Sequence, residues 1–372
     1  MKTAVTLLVF CVASLLALGM VMLYSAGIAQ AGARYLMMQL VWCGIGLGLC
    51  VAAVTIDYRL LKKFAWPLFI LSLVLLVLVF VPHIGIKVKG ARRWLAYGSF
   101  RFQSSELAKL ALIILLAWYG EHFQRQMHTW KKGIVIPGIL IGLTLGLIFI
   151  EPDRGTTILM GAVSGTLLLL AGVRWKFIVP PVVAAATALA VSLANDPMRR
   201  HRIFSWLYLK ENKAGVGYQA YQAMLALGAG GWTGLGLGNS RQKLGFVPEH
   251  HTDFILSVIG EELGVVATLL VIVAFVTIVI CGLYIAVNAP DTFGTLLGSG
   301  ISFLIGMQAF INIGVVTSAL PNKGLPLPFI SYGGSNLLMM LVSVGILLSI
   351  ARQAKARETL PNRATEMAGA AA

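Results

Sequence analysis

The stretch LGFVPEHHTDFILSVIGEELG, residues 244 to 264, sets a polar loop with two histidines against an apolar run, and Asp253 stands on the boundary. A carboxylate there could act as a general base and take a proton from a hydroxyl. Thr252 is a good N-cap for a helix beginning FILSVIG, which would put Asp253 in the first turn. The positive end of the helix dipole favours its ionised form there. Taken on residues alone, a plain helix-start aspartate fits better than a catalytic one. Asp253, Ser257 and Glu261 follow i, i+4, i+8 spacing, so Glu261 is expected to point where Asp253 points and Glu262 elsewhere. Supporting or packing roles fit both glutamates better than chemistry.

Cations gather in two further places. IKVKGARRWLAYGSFR carries Lys87, Lys89, Arg92, Arg93 and Arg101 beside Trp94, Tyr97 and Phe100. Such a loop suits a phosphate or pyrophosphate, which Arg grips bidentately, and equally suits ordinary anionic headgroups. Arg199, Arg200, His201 and Arg202 precede the Gly-rich GAGGWTGLGLGNSRQ, which includes Arg241, and Lys243, Glu249, His250 and His251 follow. This loop reads as a cradle for phosphate and sugar. It lacks HxxxH or HExxH spacing, so zinc is not indicated.

Other polar residues interrupt apolar runs. Glu106 and Lys109 lie three apart on one helical face, and charges inside a span are paired or line a wet cavity; either fits. In FIEPDRGTTIL, Asp153 is expected to cap the following helix, while Glu151 and Arg154 neutralise each other. ALPNKGLPLPFISYGGSN offers Lys323 and Ser331 on proline-broken backbone, which lines a cavity or makes a tight connection.

The elements that must hold these residues are membrane helices. The 372 residues are 58% hydrophobic and 12% charged, with mean hydropathy +0.86, which excludes an ordinary soluble domain. Apolar runs at about 4–24, 36–56, 64–81, 105–119, 133–150, 155–172, 175–193, 254–286, 294–318 and 332–351 predict an all-α integral membrane protein with about ten transmembrane helices. Residues 1–351 form one polytopic domain with a large extracytoplasmic loop, 194–252, and 352–372 a disordered cytoplasmic tail. The first run exceeds a signal-peptide core and reads as a retained span. Lys and Arg in the short loops place both termini in the cytoplasm, with the Lys87–Arg101 loop the outer exception. The net charge of +15 is read against a bilayer rather than nucleic acid. Cys11, Cys43, Cys50 and Cys281 all fall in apolar runs as free thiols. At 33 residues the run 254–286 is too long for a ~30 Å core, so it tilts, protrudes or begins with a separate piece.

GARRWL, FQSSELAK, EPDRGTT, GYQAYQAMLALGAGG, GLGNSRQKLGFVPEHHTDFILSVIGEELG and LPNKGLPLPFISYGGSN, in this order, resemble the SEDS family, whose branches include FtsW, RodA and SpoVE. GLGNSRQK and NKGLPLPFISYGGS are more similar to the FtsW division branch. Arg154 departs from the pattern, which usually has an apolar residue there.

The resemblance implies a peptidoglycan glycosyltransferase that polymerises lipid II outside the bacterial inner membrane, at the division septum. The Asp of HTDF, here Asp253, is the implied catalytic residue. The acceptor's GlcNAc 4-hydroxyl would attack MurNAc C1, and undecaprenyl pyrophosphate would leave. Substrate contacts are then expected from Arg92, Arg93, Trp94, Glu106, Lys109, Arg199, Arg200, Arg241, Lys243, His251, Lys323 and Ser331. A divalent cation, Mg2+ or Mn2+, could share the charge, though no dedicated ligand set is visible. A class B penicillin-binding protein with transpeptidase activity and other divisome proteins are the implied partners. A lipid II transporter, an elongation polymerase of RodA type and a recruiting scaffold are the competing readings.

Overall fold

The structure, a computed structural model, describes residues 1–27, 32–88, 91–97, 100–195, 204–208, 215, 217–245 and 251–359. A long helix covers each of the ten apolar runs. They are α1 Lys2–Gly27, α2 Arg34–Thr55, α3 Leu60–Leu78, α4 Ser104–His122, α5 Ile136–Ile150, α6 Arg154–Leu170 and α7 Trp175–Ala194, then α9 Ile255–Val287, α10 Thr292–Val316 and α11 Gly334–Thr359. A shorter α8, Tyr218–Ala229, lies between the two groups. Among the described residues, seven helices are long and apolar enough to cross a membrane.

The helices pack as α1 on α9, α2 on α11, α3 on α4, and α10 on α4, α6 and α9. α4, α10 and α11 form the most buried part. Small residues permit these contacts, as membrane helices require: a Cβ on Gly345 would meet the Cys50 backbone oxygen at 2.6 Å. The four cysteines are buried and free.

Two features add detail to the expected fold, the first a departure from it and the second the separate opening piece allowed for the long run 254–286. The basic loop is an antiparallel sheet ordered β1-β2-β3, Gly85–Val88, Ala91–Tyr97 and Phe100–Gln103. Apolar and polar side chains alternate along FRFQ, which suits a strand with one covered face, whereas ARRWLAY sets two arginines before an apolar run. Its register sets Lys87 opposite Arg92 and Trp94 opposite Gln103. Secondly, α9 is broken at Gly264, whose φ of 78° and ψ of −176° leave the helical region. A glycine takes that backbone without steric cost. The first piece, 255–263, is thus separate from the spanning piece, 265–287, roughly 34 Å of helix.

The break is filled by the Gly-rich segment after α8, irregular as expected. Leu235 N donates to Glu261 O at 2.9 Å, Gly236 N to Glu262 O at 3.0 Å, and Val265 N to Gly231 O at 2.9 Å. Backbone groups freed by the kink are thereby satisfied inside the protein.

Loops expected on one side of the membrane meet at one end of the bundle: Gln103 N donates to Ser335 Oγ, and Arg93 donates to Glu151 O. The other end is tied by Arg59 and Lys62, which pair with Asp291, and by Lys62 with Glu121.

Candidate active site at Asp253

Asp253 lies in a turn before α9. The helix starts at Ile255, Phe254 takes the cap position and no side chain caps it. The cap position expected at Thr252 is thus taken by Phe254, and Asp253 precedes the first helical turn. What holds this turn is tertiary. Three consecutive carbonyls each accept a hydrogen bond from the α10–α11 region: His251 O from Tyr332 N at 3.0 Å, Thr252 O from Ser331 Oγ at 2.6 Å, and Asp253 O from Asn312 Nδ2 at 2.8 Å.

The clamping residues are themselves held. Ser331 Oγ accepts from Leu327 N at 2.7 Å, and Asn312 Nδ2 also donates to Leu325 O at 2.7 Å. Gln39, buried on α2, donates to Ser331 O and accepts from Gly333 N. The His251 ring stacks on Tyr35 with centroids 4.4 Å apart and planes 9° apart. A buried ion pair reaches the same loop: Glu106 Oε2 lies 2.8 Å from Lys109 Nζ, which donates to Gln308 Oε1 at 2.9 Å. Gln308 Nε2 in turn donates to Pro326 O at 2.9 Å. Asn336 closes the chain by donating to Glu106 at 3.0 Å.

The proline-rich loop therefore forms a wall of the Asp253 site. Gly324 sits directly against the Asp253 carboxylate. Next to it Lys323 is half-buried, and burial, with the nearby Arg154 guanidinium, pushes its ammonium below the usual lysine range. Gly155, following Arg154, lies against Leu325. The loop against the carboxylate thus carries Lys323, with Arg154 close to it.

Asp253, His251, Lys323 and Ser331 are brought together, but several other expected contacts are committed elsewhere. Arg93 donates to the carbonyls of Glu151 and Pro152, and Arg92 to Phe80 O. Arg93 braces the α5–α6 turn, whereas Arg92 remains exposed. Trp94 is half-buried on β2. Glu106 and Lys109 are 3% and 1% exposed and pair with each other, with Gln308 and Asn336 as further partners; the structure places them in the paired alternative. Lys243, 4% exposed, donates to Glu262, Gly238 O and Ser25. Arg241 keeps an exposed side chain. Arg199 and Arg200 lie outside the described residues.

Glu261 does not join Asp253 as the helical spacing suggested. Its carboxylate accepts from Ser240 Oγ, Arg241 N and Gln242 N, and Glu262 accepts from Ser25, Gly238 N, Ser240 N and Lys243. Both acids hold the Gly-rich turn in place. Asp153 caps α6 as expected, accepting from Thr156 N at 3.1 Å. Glu151 is not neutralised by Arg154: it is fully buried, accepts only from Ser104, and burial followed by the Asp153 charge pushes its pKa up to about 8.

Asn312, Gln308, Gln39 and Gly324 were not foreseen as functional. A signal existed for two of them, since Gln308 and Asn312 stand four apart in the apolar run of α10, and amides in a span tend to face the bundle interior.

Residues 5–356 match the cell cycle protein family of FtsW, RodA and SpoVE. The chain belongs to this family. It is 41% identical over 343 residues to a probable peptidoglycan glycosyltransferase FtsW of Geobacter metallireducens, covering 91% of this chain and 92% of that one. The corresponding protein of Coxiella burnetii is 38% identical over 354 residues, covering 92% and 95%. Among solved structures, a chain of a peptidoglycan synthase complex that coordinates polymerization and crosslinking superposes with a TM-score of 0.79 at 29% identity, covering 93% and 97%. The rod shape determining protein RodA of Thermus thermophilus gives 0.71 at 29% identity, covering 93% and 96%. The family's members thus share this membrane fold, and the SEDS resemblance is the correct one.

Proposed function

We propose that this chain is a peptidoglycan glycosyltransferase that polymerises lipid II, with Asp253 as general base. The observation that carries the reading is the clamp on the carbonyls of residues 251, 252 and 253, which holds one carboxylate at a fixed place beside the Lys323 loop. A general base must be positioned to within hydrogen-bond reach of its proton, and three consecutive anchors supply that positioning.

In the step proposed, the acceptor's GlcNAc 4-hydroxyl oxygen attacks C1 of the donor's MurNAc. Its proton passes to the Asp253 carboxylate, the C1–oxygen bond breaks, and undecaprenyl pyrophosphate departs with the electron pair. Charge grows on that leaving group, so fixed cations lower the barrier. Lys323 is the best-placed candidate. Lys87 and Arg92, directly opposed across β1 and β2, repel one another, and an anion between them would relieve that. Ser331 and His251 act on the carboxylate's turn rather than on the sugar.

Among the described residues no group of three or more His, Cys, Asp or Glu is placed to hold a metal. A Mg2+ or Mn2+ ion would draw most of its ligands from pyrophosphate and water, and no step here depends on one. The transporter reading gains nothing from Glu106 and Lys109, which are sealed by pairing.

The FtsW names of the relatives support a place in septal synthesis in the bacterial inner membrane. The neighbouring synthase complex, with polymerization and crosslinking in one assembly, supports a class B penicillin-binding protein as partner. Purified protein given fluorescent lipid II should form glycan chains without a second polymerase; no chains, with or without such a partner, would overturn the reading.

A further inference from the structure

The end of the bundle opposite Asp253 carries a feature unrelated to polymerisation. Ser25, near the close of α1, bonds Glu262 at the Asp253 end, and Lys2 opens the same helix, so Lys2 lies roughly 35 Å from Ser25 along the helix at ~1.5 Å per residue. There α1, α2 and α11 diverge around a cleft of about 420 Å³ lined by Lys2, Val5, Val9, Val54, Leu348 and Arg352, with Lys355 at its rim. Its walls are almost wholly apolar. Water would find few partners inside, since an ordered water takes two to four polar contacts.

Cationic and apolar groups are segregated. Lys2, Arg352 and Lys355 come from the ends of α1 and α11, while Val5, Val9 and Leu348 lie deeper along those helices and Val54 stands at the end of α2. Among the described residues that line the cleft, none is acidic. Arg352 gives one Nη2 bond to Thr55 O at 2.7 Å, which orients the guanidinium; it has five donors in all. An anionic headgroup over an acyl chain matches this arrangement, and basic pockets between helix ends are where such lipids are held.

We infer that this cleft is a binding site for one anionic phospholipid, its phosphate held by Lys2, Arg352 and Lys355 and one acyl chain seated along Val5, Val9, Val54 and Leu348. The lipid would join α1 and α2 to the end of α11 and so stabilise the bundle far from Asp253.

The test uses the purified full-length protein in detergent, titrated with dioleoyl phosphatidylglycerol or dioleoyl phosphatidylcholine. Phosphatidylglycerol should raise Tm saturably by a few degrees and appear in native mass spectra as a retained adduct, whereas phosphatidylcholine does neither. The variant Lys2→Gln/Arg352→Gln/Lys355→Gln should lose both responses. Because Arg352 also bonds Thr55, Lys2→Gln/Lys355→Gln serves as a milder variant, expected to weaken phosphatidylglycerol binding at least several-fold. Val54→Phe, which fills the cleft, should reduce the adduct with all charges kept. Equal responses to the two lipids, full retention by the charge variants, or a second copy of the chain in place of the adduct would each overturn the inference.

Discussion

A Cβ placed on Gly324 would lie 2.5 Å from Oδ2 of Asp253. The carboxylate therefore rests against backbone that only a glycine leaves uncovered. Gly324→Ala must move either the carboxylate or the loop, and a misplacement of ~1 Å can cost ~100-fold in rate. The variant should keep its thermal stability within about 1 kcal/mol and lose at least tenfold in polymerisation kcat. Unchanged kcat would separate the carboxylate's position from the chemistry.

Asn312 should matter through the turn it holds. Its amide bridges Asp253 O and Leu325 O, so Asn312→Leu strands two buried carbonyls at a cost of roughly 1–3 kcal/mol each. The expected readout is a lower Tm together with a kcat that falls more than KM rises, because the base is displaced while the substrate contacts survive. A change in KM alone would assign Asn312 to substrate binding.

Helix positions were legible in the sequence because a span must be apolar over its whole length, and all ten runs carry helices. Asp253 was legible only through its motif, since one carboxylate at a boundary resembles any helix start. The sheet was missed because its strands are short and lie in a loop defined by its charge. The partners of Lys243 and Arg93 were not legible, because a free cation and a braced one look alike in sequence. Lys243 is decided by Glu262, 19 residues on, and by Ser25, 218 residues back. Glu261 was misplaced because helical spacing was extended over a residue that precedes the helix.

The Lys243–Glu262 pair gives a stability test. Both groups are buried at 2.9 Å, so Glu262→Leu leaves a buried charge uncompensated and should destabilise by about 3–5 kcal/mol. Adding Lys243→Met to Glu262→Leu should restore part of that loss. Thermal denaturation of the two single variants and the double variant reads the coupling, and strict additivity would contradict the pairing.

Glu151 predicts a pH dependence. Its carboxyl, with Oε2 lacking a hydrogen-bond partner, is raised from the ordinary 4.5 to about 8 by burial and the Asp153 charge. The folded state thus holds a proton that the unfolded chain releases, so its stabilising contribution is complete below pH 4.5 and is lost as pH rises towards 8. Tm should fall across that window, and Glu151→Gln should flatten the fall. An unaltered profile in the variant would assign the titration to another group.

Polymerisation is assigned to the Asp253 carboxylate as its base. Asp253→Asn preserves the side chain's size and the three backbone anchors but cannot accept the proton. Its rate of lipid II polymerisation, measured with purified protein whose Tm matches the parent, is the most direct test. Folding should be unchanged and the rate should fall at least ~100-fold, the lower range for general base catalysis. Glycan chains formed at the parent's rate would contradict the assignment.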